Sequence, residues 1–174
     1  VLSSRPGVYG LERAQDAAIP SMVIDRSAYS DSTTFSEDVT AELQEFDVDL
    51  IALAGFLSFY EIPECYEGRV MNIHPALLPA FGGRGYYGDR VHQAVLDYGC
   101  KVSGVTVHFA TNKYDDGPII VQKTVPVLEG DDAHTLADRV FEKELEAYPE
   151  AIRLFAQGRL SIEGRRVNIA PPTD

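Results

Sequence analysis

The chain has 174 residues, 45% hydrophobic and 24% charged, a composition that suits one globular domain with a sizeable core and excludes a mainly disordered chain. Its formal net charge of -12 repels a phosphate backbone, which disfavours nucleic-acid binding, and no apolar run approaches the roughly 18 residues of a membrane span. Val1 to Gly10 lack the charged and apolar regions of a signal peptide, so the reading is cytoplasmic, with no membrane partner.

Strand-like and helix-like segments alternate, which predicts an α/β protein with a mostly parallel central sheet, as one domain over residues 1–174. Ile19 to Ile24 reads as a strand, and Ser36 to Phe46 as a helix capped by Ser36, with Val39, Leu43 and Phe46 on one face. Asp49 to Ala54 is a buried strand broken by Gly55, and Arg69 to Ile73 is another. The Pro- and Gly-rich stretch from His74 to Gly88 fits neither helix nor strand, and loops of that length are uncommon unless functional. Asp89 to Tyr98 resumes a helical pattern, Val102 to Phe109 and Ile119 to Val127 are strands, and a last helix runs from about Ala133 to Gln157. Asp132 or Thr135 lies near its start, and Pro149 is expected to kink or divide it. Cys65 and Cys100 read as small buried hydrophobes. Only four of the fifteen basic residues are lysines, an acid-rich balance that would suit high internal salt.

Gly83 to Gly88 fits G-x-G-x-x-G, but no strand precedes it, so a mobile or plain loop is the better reading than a dinucleotide site. The histidines and cysteines show no close ligand pair, and no metal is expected. A stronger constellation begins with Asn72 and His74 at the end of a strand, where period-2 alternation points both side chains to one face. Such a pair suits acyl transfer, because an amide can donate to a developing oxyanion and an imidazole can stabilise it or pass on a proton. Asp115, in the turn Asp115-Asp116-Gly117-Pro118, would raise the pKa of His74 if brought beside it. Glu144, taken alone, is an exposed helical acid.

Four blocks in order, AGF at Ala54 to Phe56, GRVMNIHPALLPAFGG at Gly68 to Gly83, GVTVHF at Gly104 to Phe109 and DDGPIIVQ at Asp115 to Gln122, resemble the folate-dependent formyltransferase family. The likeness runs from about Leu11 to Leu160, and NIHP followed by ALLP resembles its purine-pathway branch. The resemblance implies a Rossmann-like fold and direct transfer of a formyl group from 10-formyltetrahydrofolate to the amino group of glycinamide ribonucleotide, without a metal or a covalent enzyme intermediate. It makes Asn72, His74 and Asp115 the catalytic trio: Asn72 and protonated His74 on the oxyanion, Asp115 paired with His74 and relaying protons. Gly55, Leu57 and Pro75 would contact the ribonucleotide and Glu144 its ribose hydroxyls. The folate would take Phe56, Leu57, Ser58, Phe59, Val70 and Asn72, with Ala110, Thr111, Tyr114 and Asp115 reading the pterin edge.

The family has an Arg shortly after AGF where this chain has Leu57-Ser58, which would change the pocket entrance. Val1 to Ser4 resembles the end of the family's second strand and GLERAQDA the helix after it, so the first strand, its Gly-rich phosphate loop and first helix would precede Val1. The alternatives are a formyltetrahydrofolate hydrolase or a non-catalytic folate-binding or regulatory subunit; homo-oligomerisation is left open.

Overall fold

A computed structural model describes residues 1–172, which divide after Glu67 into two units. In the first, strand β1 (Leu2–Ser3) pairs in parallel with β2 (Met22–Val23), with helix α1 (Tyr9–Asp16) between them in sequence. Helix α2 (Ser32–Gln44) starts earlier than expected, because Asp31 and not Ser36 is its cap: an Asp31 carboxylate oxygen accepts from the Thr34 amide at 2.9 Å. Ser36 lies buried inside the helix, where its hydroxyl donates to the Ser32 carbonyl at 2.7 Å and accepts from the Glu61 amide at 2.8 Å. Strand β3 (Ile51–Leu53) follows. The helix ends at Gln44, so Phe46 lies beyond it, yet Val39, Leu43 and Phe46 line, with Val1, Leu2 and Ile51, an apolar cavity of about 360 Å³. Cys65, expected inside, is exposed.

The second unit is built on β4 (Val70–His74), β5 (Val102–Phe109), β6 (Ile119–Pro126), β7 (Leu160–Glu163) and β8 (Arg166–Ile169), in the order β4-β5-β6-β8-β7. The α/β class is as expected. Strand direction in this unit is mixed, however: β4, β5 and β6 pair antiparallel, β8 joins β6 in parallel, and β7 closes a hairpin onto β8. Residues 110–118 connect β5 to β6, too few for the helical crossover that a parallel pair needs.

Helix α3 (Asp89–Asp97) packs on α4 (Ala133–Ala156), which also covers β5 and β6. Leu136, Val140, Ala147, Ala151 and Leu154 recur at helical spacing on its buried face. Asp132 and Thr135 form a reciprocal capping box, and Arg139 grips Asp131 with two bonds of 2.7 and 2.8 Å, its hydrogen bonding holding the Asp131 carboxyl down at about 2. Pro149 does not divide the helix. An Asp132→Ala chain should lose about 1 kcal/mol, a fall in Tm of roughly 2–4 °C in a thermal melt. No helix among the described residues is long and apolar enough to cross a membrane.

Candidate active site

The antiparallel register of β4 on β5 sets Asn72 opposite His108 and His74 opposite Thr106. Thr106 is fully buried, donates to the Ala76 carbonyl at 2.7 Å and accepts from the Leu78 amide and Gln122 Nε2, each at 3.0 Å. One hydroxyl thus ties down the segment that leaves His74. That segment returns to the site through its backbone: the Phe81 carbonyl accepts from His74 Nε2 at 2.8 Å, and the Gly83 amide donates to Asp115 Oδ2 at 2.8 Å. A carbonyl only accepts, so His74 carries a proton on Nε2 and turns Nδ1 to Asp115 Oδ2, 3.6 Å away.

Asp115 sits at φ 51°, a left-handed conformation that Asp tolerates better than most side chains. The chain can fold back there because Gly117 has no Cβ: one would fall 1.6 Å from the Phe109 carbonyl oxygen. The other carboxylate oxygen, Oδ1, lies 3.5 Å from Asn72 Nδ2 and 3.7 Å from His108 Nε2. The structure therefore brings Asn72, His74 and Asp115 together, and adds His108. That histidine was missed in the sequence, although the alternation of GVTVHF puts His108 and Thr106 on one face, where pairing with NIH would have met them.

The expected rise in the pKa of His74 is corrected: burial outweighs the pull of Asp115 and the Phe81 carbonyl and holds the imidazole below its ordinary 6.5. Asp115 is also below its ordinary value, since burial, which would raise it, is outweighed by the polar groups around it, the Gly83 amide among them. His92 on α3, with a buried Nδ1 that has no hydrogen-bond partner among the described residues, is lowered by burial as well. In both histidines the folded chain holds its proton less tightly than the unfolded one. Their stabilisation is complete above about pH 6.5 and is lost as pH falls through that value toward the lowered pKa. Thermal melts should show Tm dropping between pH 7 and 5, with a shallower slope in His92→Gln; an unchanged slope would remove His92 as a cause.

Glu144, read as exposed, is half-buried on α4; burial raises its pKa, and no hydrogen bond or ion pair holds its carboxylate among the described residues. Pro75 is half-buried after β4, whereas Val70 is fully enclosed and its carbonyl accepts from the Ala110 amide at 2.8 Å. Thr111 and Tyr114 are exposed on the β5–β6 connection. In the first unit, Gly55 turns the chain at φ 64°, Phe56 stacks on Phe35 at 6.3 Å between ring centres, Leu57 is exposed, and Ser58 and Phe59 are half-buried. Gly83 to Gly88 follows an irregular turn and not a strand, so its backbone is free to serve Asp115. Among the described residues, no group of three or more His, Cys, Asp or Glu is placed to hold a metal ion.

Residues 1–152 match the model of a protein family described as formyl transferase. The chain belongs to the formyl transferase family. It is 43% identical over 164 residues to the trifunctional purine biosynthetic protein adenosine-3 of Gallus gallus, covering 93% of this chain and 16% of that protein. It is 39% identical over 153 residues to the chloroplastic phosphoribosylglycinamide formyltransferase of Vigna unguiculata, covering 87% of this chain and 49% of the relative. The crystal structure of glycinamide ribonucleotide transformylase 1 from Symbiobacterium toebii superposes with a TM-score of 0.91 at 46% identity, over 98% of this formyl transferase chain and 79% of that one. The chain thus spans about a sixth of the first of these relatives and about half of the second.

Proposed function

We propose that this chain transfers the formyl group of 10-formyltetrahydrofolate to the amino group of glycinamide ribonucleotide, a step of purine biosynthesis. The observation that carries the reading is the convergence of Asn72, His74 and Asp115 in a chain whose relatives are named for that transfer. The amine attacks the formyl carbon, and its surplus proton passes through Asp115, by way of water, to His74 Nδ1. The imidazolium so formed and an N–H of Asn72 then hold the oxyanion, and the carbon–nitrogen bond to the folate breaks as its nitrogen takes that same proton from His74 through water. Because burial lowers the His74 pKa, the proton that makes the imidazolium arrives with the nucleophile, and positive charge forms beside the Asp115 carboxylate as the oxyanion does.

Glu144, a half-buried carboxylate without a partner among the described residues, supports the reading that it receives the ribose hydroxyls. Pro75, Gly55 and Leu57 would complete the ribonucleotide contacts. Phe56, Ser58, Phe59, Val70, Ala110, Thr111 and Tyr114 belong to the folate side, Val70 through its backbone, as its side chain is enclosed. The test is formyl transfer by the purified chain with and without glycinamide ribonucleotide. Ribonucleotide-dependent turnover supports the reading; formate release that ignores the ribonucleotide would replace it with a hydrolase.

A further inference from the structure

His108 has no role in the reaction above, yet it is 1% exposed and lies against two of its three central residues. Its Nδ1 is 2.9 Å from the carbonyl oxygen of Phe109, so Nδ1 carries the proton and donates. In the neutral ring Nε2 is then a bare acceptor, and Asn72 Nδ2 stands 3.3 Å from it. We propose that His108 is a positioning residue for formyl transfer: its Nε2 accepts one N–H of Asn72 and so keeps the second N–H, not the amide oxygen, turned toward Asp115 and the formyl oxygen.

Two facing groups enforce the orientation. Rotating the amide by half a turn would place its oxygen against the lone pair of His108 Nε2 and against Asp115 Oδ1, which is 3.5 Å from Nδ2 as it stands. An oxygen turned toward the formyl group would repel the oxyanion that an N–H stabilises. The Phe109 carbonyl is itself held in place: the Gly117 backbone lies close against it, and the amide of the same peptide, that of Ala110, donates to the Val70 carbonyl at 2.8 Å. The titratable groups around the His108 ring are Asp115, from the β5–β6 connection, and His74, from β4. This role rests on the formyl-transfer reading.

Asparagine and glutamine separate the two ends of the ring. His108→Asn can reproduce the donor to Phe109 but stops short of Asn72, whereas His108→Gln can put an acceptor oxygen where Nε2 stands. The Asn variant should lose about 10- to 100-fold in kcat with little change in KM, and the Gln variant should recover most of it with an unmoved pH profile. A Gln variant as slow as the Asn variant, or one with a shifted profile, overturns the proposal. Nitrogen-15 spectra of the unliganded chain provide a second arm. The Asn72 side-chain amide should shift in His108→Asn and return toward its original position in His108→Gln. An unmoved amide overturns the positioning whether or not the chain turns over. These shifts in a chain whose wild type transfers no formyl group overturn the reaction assignment instead.

Discussion

Asp115→Asn should fold normally and lose roughly 10²- to 10³-fold in turnover. Asparagine has the shape of aspartate, tolerates the left-handed φ of 51° at this position, and keeps an oxygen for the Gly83 amide. What it removes is charge. The carboxylate is the larger of the two groups that pull the His74 pKa upward against burial, so with only the Phe81 carbonyl left to oppose burial His74 should titrate at a still lower pH. The imidazole then resists the proton it must accept from the attacking amine. Steady-state kinetics should show the loss in kcat and little in KM, and an NMR titration should show His74 displaced to lower pH. Near-normal turnover, or a His74 that titrates at or above its original pH, would remove Asp115 from the relay.

Gly117→Ala should be the most damaging single methyl group in the second unit, with a loss of about 3 kcal/mol or more and a fall in Tm of roughly 6–12 °C. The added Cβ would lie 1.6 Å from the Phe109 oxygen and 2.8 Å from its carbonyl carbon, so backbone must move. Two bonds hold that peptide against moving, one from His108 Nδ1 to its oxygen and one from its Ala110 amide to the Val70 carbonyl. Relief therefore opens the start of the β5–β6 connection, and activity should fall with stability because Asp115 rides on the same turn. A melting temperature within about 2 °C of the parent would refute the close approach.

Much of this arrangement was legible because it is local. Asn72 and His74 share a face by strand alternation alone, β5 occupies the span that its β-branched residues mark, and Asp132 with Thr135 announces the start of α4. What escaped notice depends on distant partners. His108 becomes a neighbour of Asn72 only through the register of two strands, which no single segment encodes. Ser36 looks like a cap until Asp31 is seen to do that work. The direction of the His74 shift could not be read from a nearby carboxylate, since burial decides it. The closing β7–β8 hairpin, four residues to a strand, lay beyond the last helix that periodicity picks out.

The two contacts that join Phe81 and Gly83 to the histidine and the aspartate use main-chain atoms only. What this stretch must keep is its length and its glycines, since a Cβ at Gly82 would fall 2.5 Å from Leu78 Cδ2 and Gly83 turns at φ 97°. Arg84, Tyr86 and Tyr87, exposed beyond it, can vary in drifting sequences without touching either bond, whereas dropping one residue between Ala80 and Gly83 would unhook both at once. A library of the segment should therefore tolerate substitution at Arg84, Tyr86 and Tyr87, but neither replacement of Gly82 and Gly83 nor deletion, a pattern set by backbone and not by functional side chains.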